Sequence, residues 1–507
     1  MRLSLLRLLC LPVIALIIPS CTQFDSIGSI EDIEVEATYA LPIVNSTTTI
    51  YDMLETRQTD ATLLTTTDEG TLAFQYEAQG PEVAANDLFT NIPDFPFAIP
   101  AERTTIPVEF FPGVGLEILR LNAGTMDFEM YSGFTEDIDI EIIFYQFTKN
   151  EQPLHVNSRI IYQGESPTEH RISAVDVTGY SLATINQEME VEYIATKVSD
   201  GSRVSLEGVG GQGKKWTYDY VQGAFANKEF EIESDTLIID LFDLGFDGTI
   251  RLEDPRLDLL FENSFGFDLQ ARIKHLEMVN AEGNSVVLSG SIVENGFLLK
   301  SPKLFEAGQS KNSILSLNKD NSNLPDLLAI KPQKIIYQLS AVINPDENNQ
   351  SGFMIPSSKI KTDISAFIPA HGSFELQTQQ ETSVDFGQPE SLVAADFKLI
   401  TTNELPLGAA LQFYFIDENN SIIDSLFTDQ EVILEAAPVG ADGFPTTPAP
   451  LTTHITIPSD RINILNRSEK MLMSVHLATS DNGQTPVKIT GDQKIGVQLG
   501  AILSIEE

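Results

Sequence analysis

Cysteine is almost missing from this chain: Cys10 and Cys21 are the only two among 507 residues. Both fall in the first 21 positions, so no disulfide and no cysteine-based zinc site can brace or equip the remainder. Histidine is scarce as well. His155, His170, His275, His371, His454 and His476 are spaced by at least 15 residues, which leaves no H-x-H or H-E-x-x-H and requires any transition-metal site to be assembled from distant segments. No G-x-S-x-G is present to make a serine-hydrolase elbow. Basic residues are few, 31 Lys and Arg against 73 Asp and Glu, and the net charge of -42 repels nucleic acid and anionic lipid head groups. Long apolar runs are absent too. The longest, Leu8 to Ile18, is short of the roughly 20 residues a membrane helix needs.

That run has another use. Arg2 and Arg7 precede it and Pro19-Ser20 close it before Cys21, the pattern of a secretory signal peptide. Its end resembles a bacterial lipobox, with Ile18 three places and Ser20 one place before Cys21; Pro19 departs from the usual residue between them. The resemblance implies that Cys21 is the lipidation site and that the membrane is reached through this anchor. Thr22 follows, so the enterobacterial rule of inner-membrane retention by aspartate does not apply. Residues 21–30 then read as an acidic tether.

The remaining length suits about three domains, and three segments overlay: "MDFEMYSGFTEDIDIEI" from Met126, "LDLLFENSFGFDLQARI" from Leu257 and "ADFKLITTNELPLGAAL" from Ala395. Their opening Asp127, Asp258 and Asp396 are 131 and 138 positions apart, a spacing of repeated domains, with Asp137, Asp268 and Pro406 ten residues on. A second landmark, at Tyr193, Gln338 and His476, ends a strand in an Asp/Asn/Gly turn in each copy. Period-two runs, Ile138 to Phe147, Leu269 to Met278 and Leu411 to Asp417, are separated by turn clusters such as Lys149-Asn150-Glu151. The expected fold is all-β: tandem antiparallel β-sandwiches, Ig-like, with few short helices, at Asn323 to Lys334 and Pro458 to Lys470. The expected division is a signal peptide over 1–20, the tether, an N-terminal β-rich segment over 31–98 with a hairpin across Asp68-Glu69-Gly70, and sandwich copies over 99–222, 223–371 and 372–507.

One stretch invites a nucleotide. "GVGGQGKK", Gly208 to Lys215, fits G-x-G-x-x-G and the start of a Walker loop. Either motif must open a helix, yet Lys215 stands where a Ser or Thr should be and "WTYDYV" alternates as a strand. The other copies carry no matching glycines, so the stretch reads as a turn feeding the last strand of copy one, and no nucleotide is expected. Trp216, the single tryptophan, alternates with Tyr218 and Tyr220, which makes this row either core or the one candidate ligand platform. Calcium has no clear motif: "DENNQSG" from Asp346 puts its glycine seventh where an EF-hand needs it sixth. No catalytic residue and no metal ligand is singled out, and no cofactor is expected beyond an unsupported Ca²⁺.

The lipobox, acidic tether and tandem strand-rich copies, with phrases such as "LPLGAALQFYFIDENNSIIDSLF" from Leu405, resemble cell-surface lipoproteins of the Bacteroidota. The resemblance implies outer-membrane anchoring with exposure on the extracellular face. It also implies O-glycan acceptors at Asp25-Ser26-Ile27, Asp235-Thr236-Leu237 and Asp424-Ser425-Leu426. The expected role is non-enzymatic: adhesive, scaffolding or envelope-structural, with a glycan or protein partner. The alternative is a glycan-binding or glycan-processing surface lipoprotein.

Overall fold

A computed structural model describes residues 37–55, 62–89, 92–225, 229–238, 247–345, 351–383, 392–465 and 467–505. The described chain is dominated by antiparallel strands, with a few helices of at most seven residues. The tandem sandwiches are therefore present, and the three copies share one strand order.

In copy one the strands run, first to eighth, Phe95–Ala98, Arg103–Pro107, Val114–Ser132, Ile138–Lys149, Gln152–Ile160, Thr168–Asp176, Glu188–Lys197 and Gly208–Phe225. One sheet has the order first, eighth, third, sixth; the other has second, seventh, fourth, fifth. This is the nested double Greek key of a jelly roll. It differs from immunoglobulin order in that the last strand pairs with the third and the seventh with the second. Ser181–Ala183 pairs with both the third and fourth strands and joins the two sheets at one corner.

Copies two and three repeat the order but take their first strand from far away. In copy two, Glu229–Ile238, Arg256–Asn263, Leu269–Val279, Ser285–Val287, Lys311–Leu317, Lys334–Ile343 and Lys359–Pro369 are strands two to eight, and Leu72–Ala84 is the first, paired with the eighth. In copy three, His371–Ser383, Leu392–Asn403, Leu407–Ile416, Ile422–Ser425, Ala449–Ile457, Lys470–Thr479 and Lys494–Ile505 follow a first strand at Ala37–Thr49. The described residues of the segment over 31–98 thus build no sheet of their own. They lay down the first strands of copies three, two and one in that order, and the chain then returns through copies one, two and three.

The hairpin anticipated around Gly70 is the turn between Thr62–Thr66 and Leu72–Ala84, with Gly70 at φ +85° and its N–H donated to Thr67 O at 2.9 Å. Local turn chemistry is equally direct at Asn150 and Glu151, both left-handed at φ 52° and 63° between paired strands. The two anticipated helices are shorter, Leu324–Ala329 and Ser459–Leu465, and bury Leu324, Leu327, Ile462 and Leu465.

Neighbouring copies also exchange strands. Asp247–Leu252, between strands two and three of copy two, extends copy three by pairing with its second strand. Ser351–Met354 of copy two pairs with Val221–Ala224 of copy one and buries Phe353 completely. The cores of copies one and two are one contiguous cluster, while the core of copy three takes in Leu72 and Phe74 from the first strand of copy two.

Shared strand order allows the repeats to be aligned by role. Asn263 and Asn403, both fully buried, each close the third strand: Nδ2 donates to Phe267 O (3.3 Å) and Lys300 O (3.1 Å) in copy two, and to Leu407 O (2.8 Å) and Glu435 O (2.7 Å) in copy three. The Oδ1 atoms accept the N–H of Phe265 and Leu405. Ser132 does part of this work in copy one, accepting the Phe134 N–H. Asn263 therefore corresponds to Asn403, not to Thr401, and the register that superposed Asp258 on Asp396 is two residues out. A shift of two keeps every side chain on its face, so the alternating pattern cannot detect it.

Candidate functional site

The glycine-rich stretch is strand throughout, which corrects its reading as a turn. Gly208 to Lys214 pair with Tyr131 to Thr125, and Gly210 to Gly213 pair on the other edge with Ala98 to Phe95. The glycines admit aromatic rings against the backbone. A Cβ on Gly211 would lie 2.7 Å from the Phe97 ring and 2.6 Å from Asp127 O; one on Gly213 would lie 2.7 Å from the Trp216 ring. Lys215, left-handed at φ 53°, begins a run of bulges that folds Trp216 back over Gly213. Lys214 Nζ donates to Asp127 Oδ2 at 2.8 Å, and Oδ1 accepts the Ala174 N–H at 2.7 Å. That amide, and then Lys214, hold the Asp127 carboxyl below its usual range.

The aromatic row does not form a platform. Trp216 is 3% exposed, stacked on Phe147 with ring centroids 5.7 Å apart and edge-on to Phe110 at 5.4 Å, and its Nε1 donates to Thr125 O at 3.0 Å. Tyr218 is buried edge-on to Phe111, its hydroxyl has no partner among the described residues, and burial raises its pKa. The bulge between Tyr218 and Tyr220 turns the third ring out of the core to the junction with copy two, where it stacks on Phe353 at 6.0 Å beneath the Arg120 guanidinium. The burial has a simple cause: the inner face of the eighth strand is closed by the opposing sheet, so bulky rings there fill the sandwich.

The remaining anticipated residues scatter. Cys21 and the Asp25-Ser26-Ile27 acceptor lie outside the described residues, as does 346–350 of the calcium-like loop. Ser425 donates to Phe427 O and Asp424 pairs with Arg461, so that acceptor is tied into the fold, while Thr236 is exposed. Four histidines face single carboxylates: His155 with Glu141, His275 with Glu277, His371 with Asp254 and His476 with Glu375. No group of three or more His, Cys, Asp or Glu suited to a metal occurs among the described residues. No helix among them is long and apolar enough to cross a membrane.

What the sequence did not single out is a cleft of about 300 Å³ at one end of copy three. Three loops build it: Glu404 from the third-to-fourth connection, Phe444 to Pro448 from the fifth-to-sixth, and Thr490, Asp492 and Gln493 from the seventh-to-eighth. Asn403 positions Glu404, whose Oε2 accepts the Lys494 N–H at 3.1 Å. Phe444 is half-buried, held on one face by Lys488, whose Nζ is 4.9 Å from the ring centroid and 2.6 Å from Glu69. Asp492 Oδ1 accepts the Thr490 hydroxyl at 2.5 Å. Gln493 is 6% exposed and its Oε1 has no partner among the described residues. The only signal for this site was compositional, an aromatic and prolines in "GFPTTPAP" inside a long loop.

Fold and site define a protein of three interlocked jelly rolls with a loop-built cleft on the third. No protein-family model and no curated protein matches the sequence. Among solved structures the chain resembles a protein from Parabacteroides distasonis assigned as secreted, at 16% identity and a TM-score of 0.33, over 55% of this chain and 88% of that one. It also resembles infectious bursal disease virus, Gx strain, at 9% identity, TM-score 0.14 and coverage of 84% and 83%. A third likeness is to the tandem CBM22-1-CBM22-2 domain from Paenibacillus barcinonensis, at 8% identity, TM-score 0.13 and coverage of 56% and 86%.

Proposed function

We propose that this chain is a lipid-anchored outer-membrane protein displayed on the extracellular face, with a non-enzymatic adhesive or scaffolding role in which copy three stands nearest the membrane and copy one presents the outer surface. One observation carries the reading: Ala37–Thr49, the first described strand, pairs from end to end, apart from a bulge at Ile43, with the last described strand, Lys494–Ile505. Ala37 follows Cys21 by 16 positions, so at about 3.3–3.6 Å per residue the anchor keeps copy three within roughly 60 Å of the bilayer. Copy two lies beyond it. Its first strand begins with the Leu72 N–H donated to Ile489 O of copy three, and just past its far end Phe89 packs on Phe111 and Phe225 of copy one. Strand exchange at both junctions makes a continuous stalk, and tension on the tether loads the pairs of the first strand together in shear.

The test is palmitate labelling of cells producing the wild type or Cys21→Ser, followed by protease shaving with epitope tags in the Tyr162–Pro167 loop of copy one and the Asp481–Gly483 turn of copy three. Label on the wild type alone, and loss of the copy-one tag from intact cells before the copy-three tag, is expected. An unlabelled wild type, or a copy-one tag protected on intact cells, refutes the proposal.

A further inference from the structure

We infer that the cleft of copy three is a binding site for a neutral saccharide, a ligand with ring hydroxyls on its rim and an apolar C–H face. Its volume, about 300 Å³, is at the lower bound of small-ligand sites and suits one or two sugar rings. The lining has the matching chemistry. Phe444, Pro445 and Pro448 supply flat apolar surfaces, and Lys488 braces the Phe444 ring. Glu404 and Asp492 each spend one oxygen on a donor within the chain, Lys494 N–H and the Thr490 hydroxyl, and each retains another oxygen as an acceptor for ligand hydroxyls. Thr446 donates to Pro438 O, which leaves its oxygen able to accept.

Gln493 is a second and independent sign. A native fold rarely leaves a buried amide oxygen without a donor. Gln493 lines the cleft, is 6% exposed, and its Oε1 has none among the described residues. This carbonyl has almost no accessible surface, so it meets a donor brought by a ligand only after the Gln493 side chain turns toward the cleft. An anionic ligand is disfavoured by Glu404 and Asp492 in a chain of net charge -42. A cationic peptide would use those two carboxylates and leave the threonines, the amide and the proline surfaces without a role.

The inference is independent of the anchor, so the experiment uses the full chain carrying Cys21→Ser. Maltohexaose, xylohexaose, mannohexaose and cellohexaose are each titrated by calorimetry in the presence of EDTA, with trilysine and a sialylated lactose as comparison ligands. At least one neutral oligosaccharide is expected to bind, with affinity lowered about tenfold by Glu404→Gln or Asp492→Asn, the loss of one charged hydrogen bond each, and abolished by Phe444→Ala. The two conservative variants keep the test decisive should Phe444→Ala fail to fold. Binding by none of the four sugars, binding indifferent to all three substitutions, or binding of trilysine in place of the sugars overturns the inference. None of these outcomes bears on whether Cys21 is lipidated.

Discussion

Joining the two ends of the chain by a covalent bond tests the architecture most directly. Asn45 and Gln498 stand opposite each other in the pairing of the first and eighth strands of copy three, and both are exposed. Opposed residues of antiparallel strands hold their Cβ atoms roughly 4.5–5.5 Å apart, close enough for a disulfide after a small adjustment. With Cys10→Ser and Cys21→Ser as background, Asn45→Cys with Gln498→Cys supplies the only two thiols in the protein. The bond closes a loop of about 450 residues, for which the chain-entropy model gives about 6 kcal/mol as an upper value. The assays are mobility on a non-reducing gel and urea unfolding with and without reductant. A monomeric, faster-migrating species is expected, with an unfolding midpoint for copy three that falls when the bond is reduced. A control pair, Asn45→Cys with Glu418→Cys, should stay reduced. Free thiols in the first pair under mild oxidation, or cross-linked dimers alone, would refute the pairing and with it the position of the anchor beside copy three.

Other expectations follow from buried groups. Asn403→Ala strands the Leu405 N–H and the carbonyls of Leu407 and Glu435; at about 1–3 kcal/mol per unmet group, a loss of at least about 3 kcal/mol is expected by chemical denaturation, and a loss below about 1 kcal/mol would contradict the clamp. Asn263→Ala should cost less, because its bonds of 3.0–3.3 Å are longer. Trp216→Ala empties a packed aromatic cluster and should cost about 3–5 kcal/mol in copy one while leaving saccharide titrations unchanged. Asp127 has a folded-state pKa below its unfolded value, so its contribution is complete above the unfolded pKa, about 3.9, and is lost as pH falls through the folded value. Acid unfolding profiles of the wild type and Asp127→Asn should diverge above pH 4 and converge at the lowest pH, by a modest amount because the pair is partly exposed.

The interlocked path has a consequence for folding. Copies two and three cannot complete their first sheet until Leu72–Ala84 and Ala37–Thr49, made before either copy, are in place. Such pairing is of very long range and slow to form. It also explains why the repeats, read as units of 99–222, 223–371 and 372–507, each contain strands two to eight of a jelly roll and lack the first.

What could be read from the chain alone was whatever is encoded over a few residues. Period two in Ile138 to Phe147 and Leu269 to Met278 forms strands because alternation places apolar side chains on one face, and Asn150 and Gly283 turn because they tolerate left-handed backbone. The threefold repeat was legible for the same reason. The partner of a strand is not local: nothing in "ATYALPIVNSTTT" points to a strand 450 residues away, because period-two patterns are alike and a two-residue slip leaves the faces unchanged. Which face of the Trp216 strand is covered, and that three distant loops meet around Phe444, Glu404 and Asp492, likewise depend on how sheets stack and loops converge, and only the tertiary structure decides it.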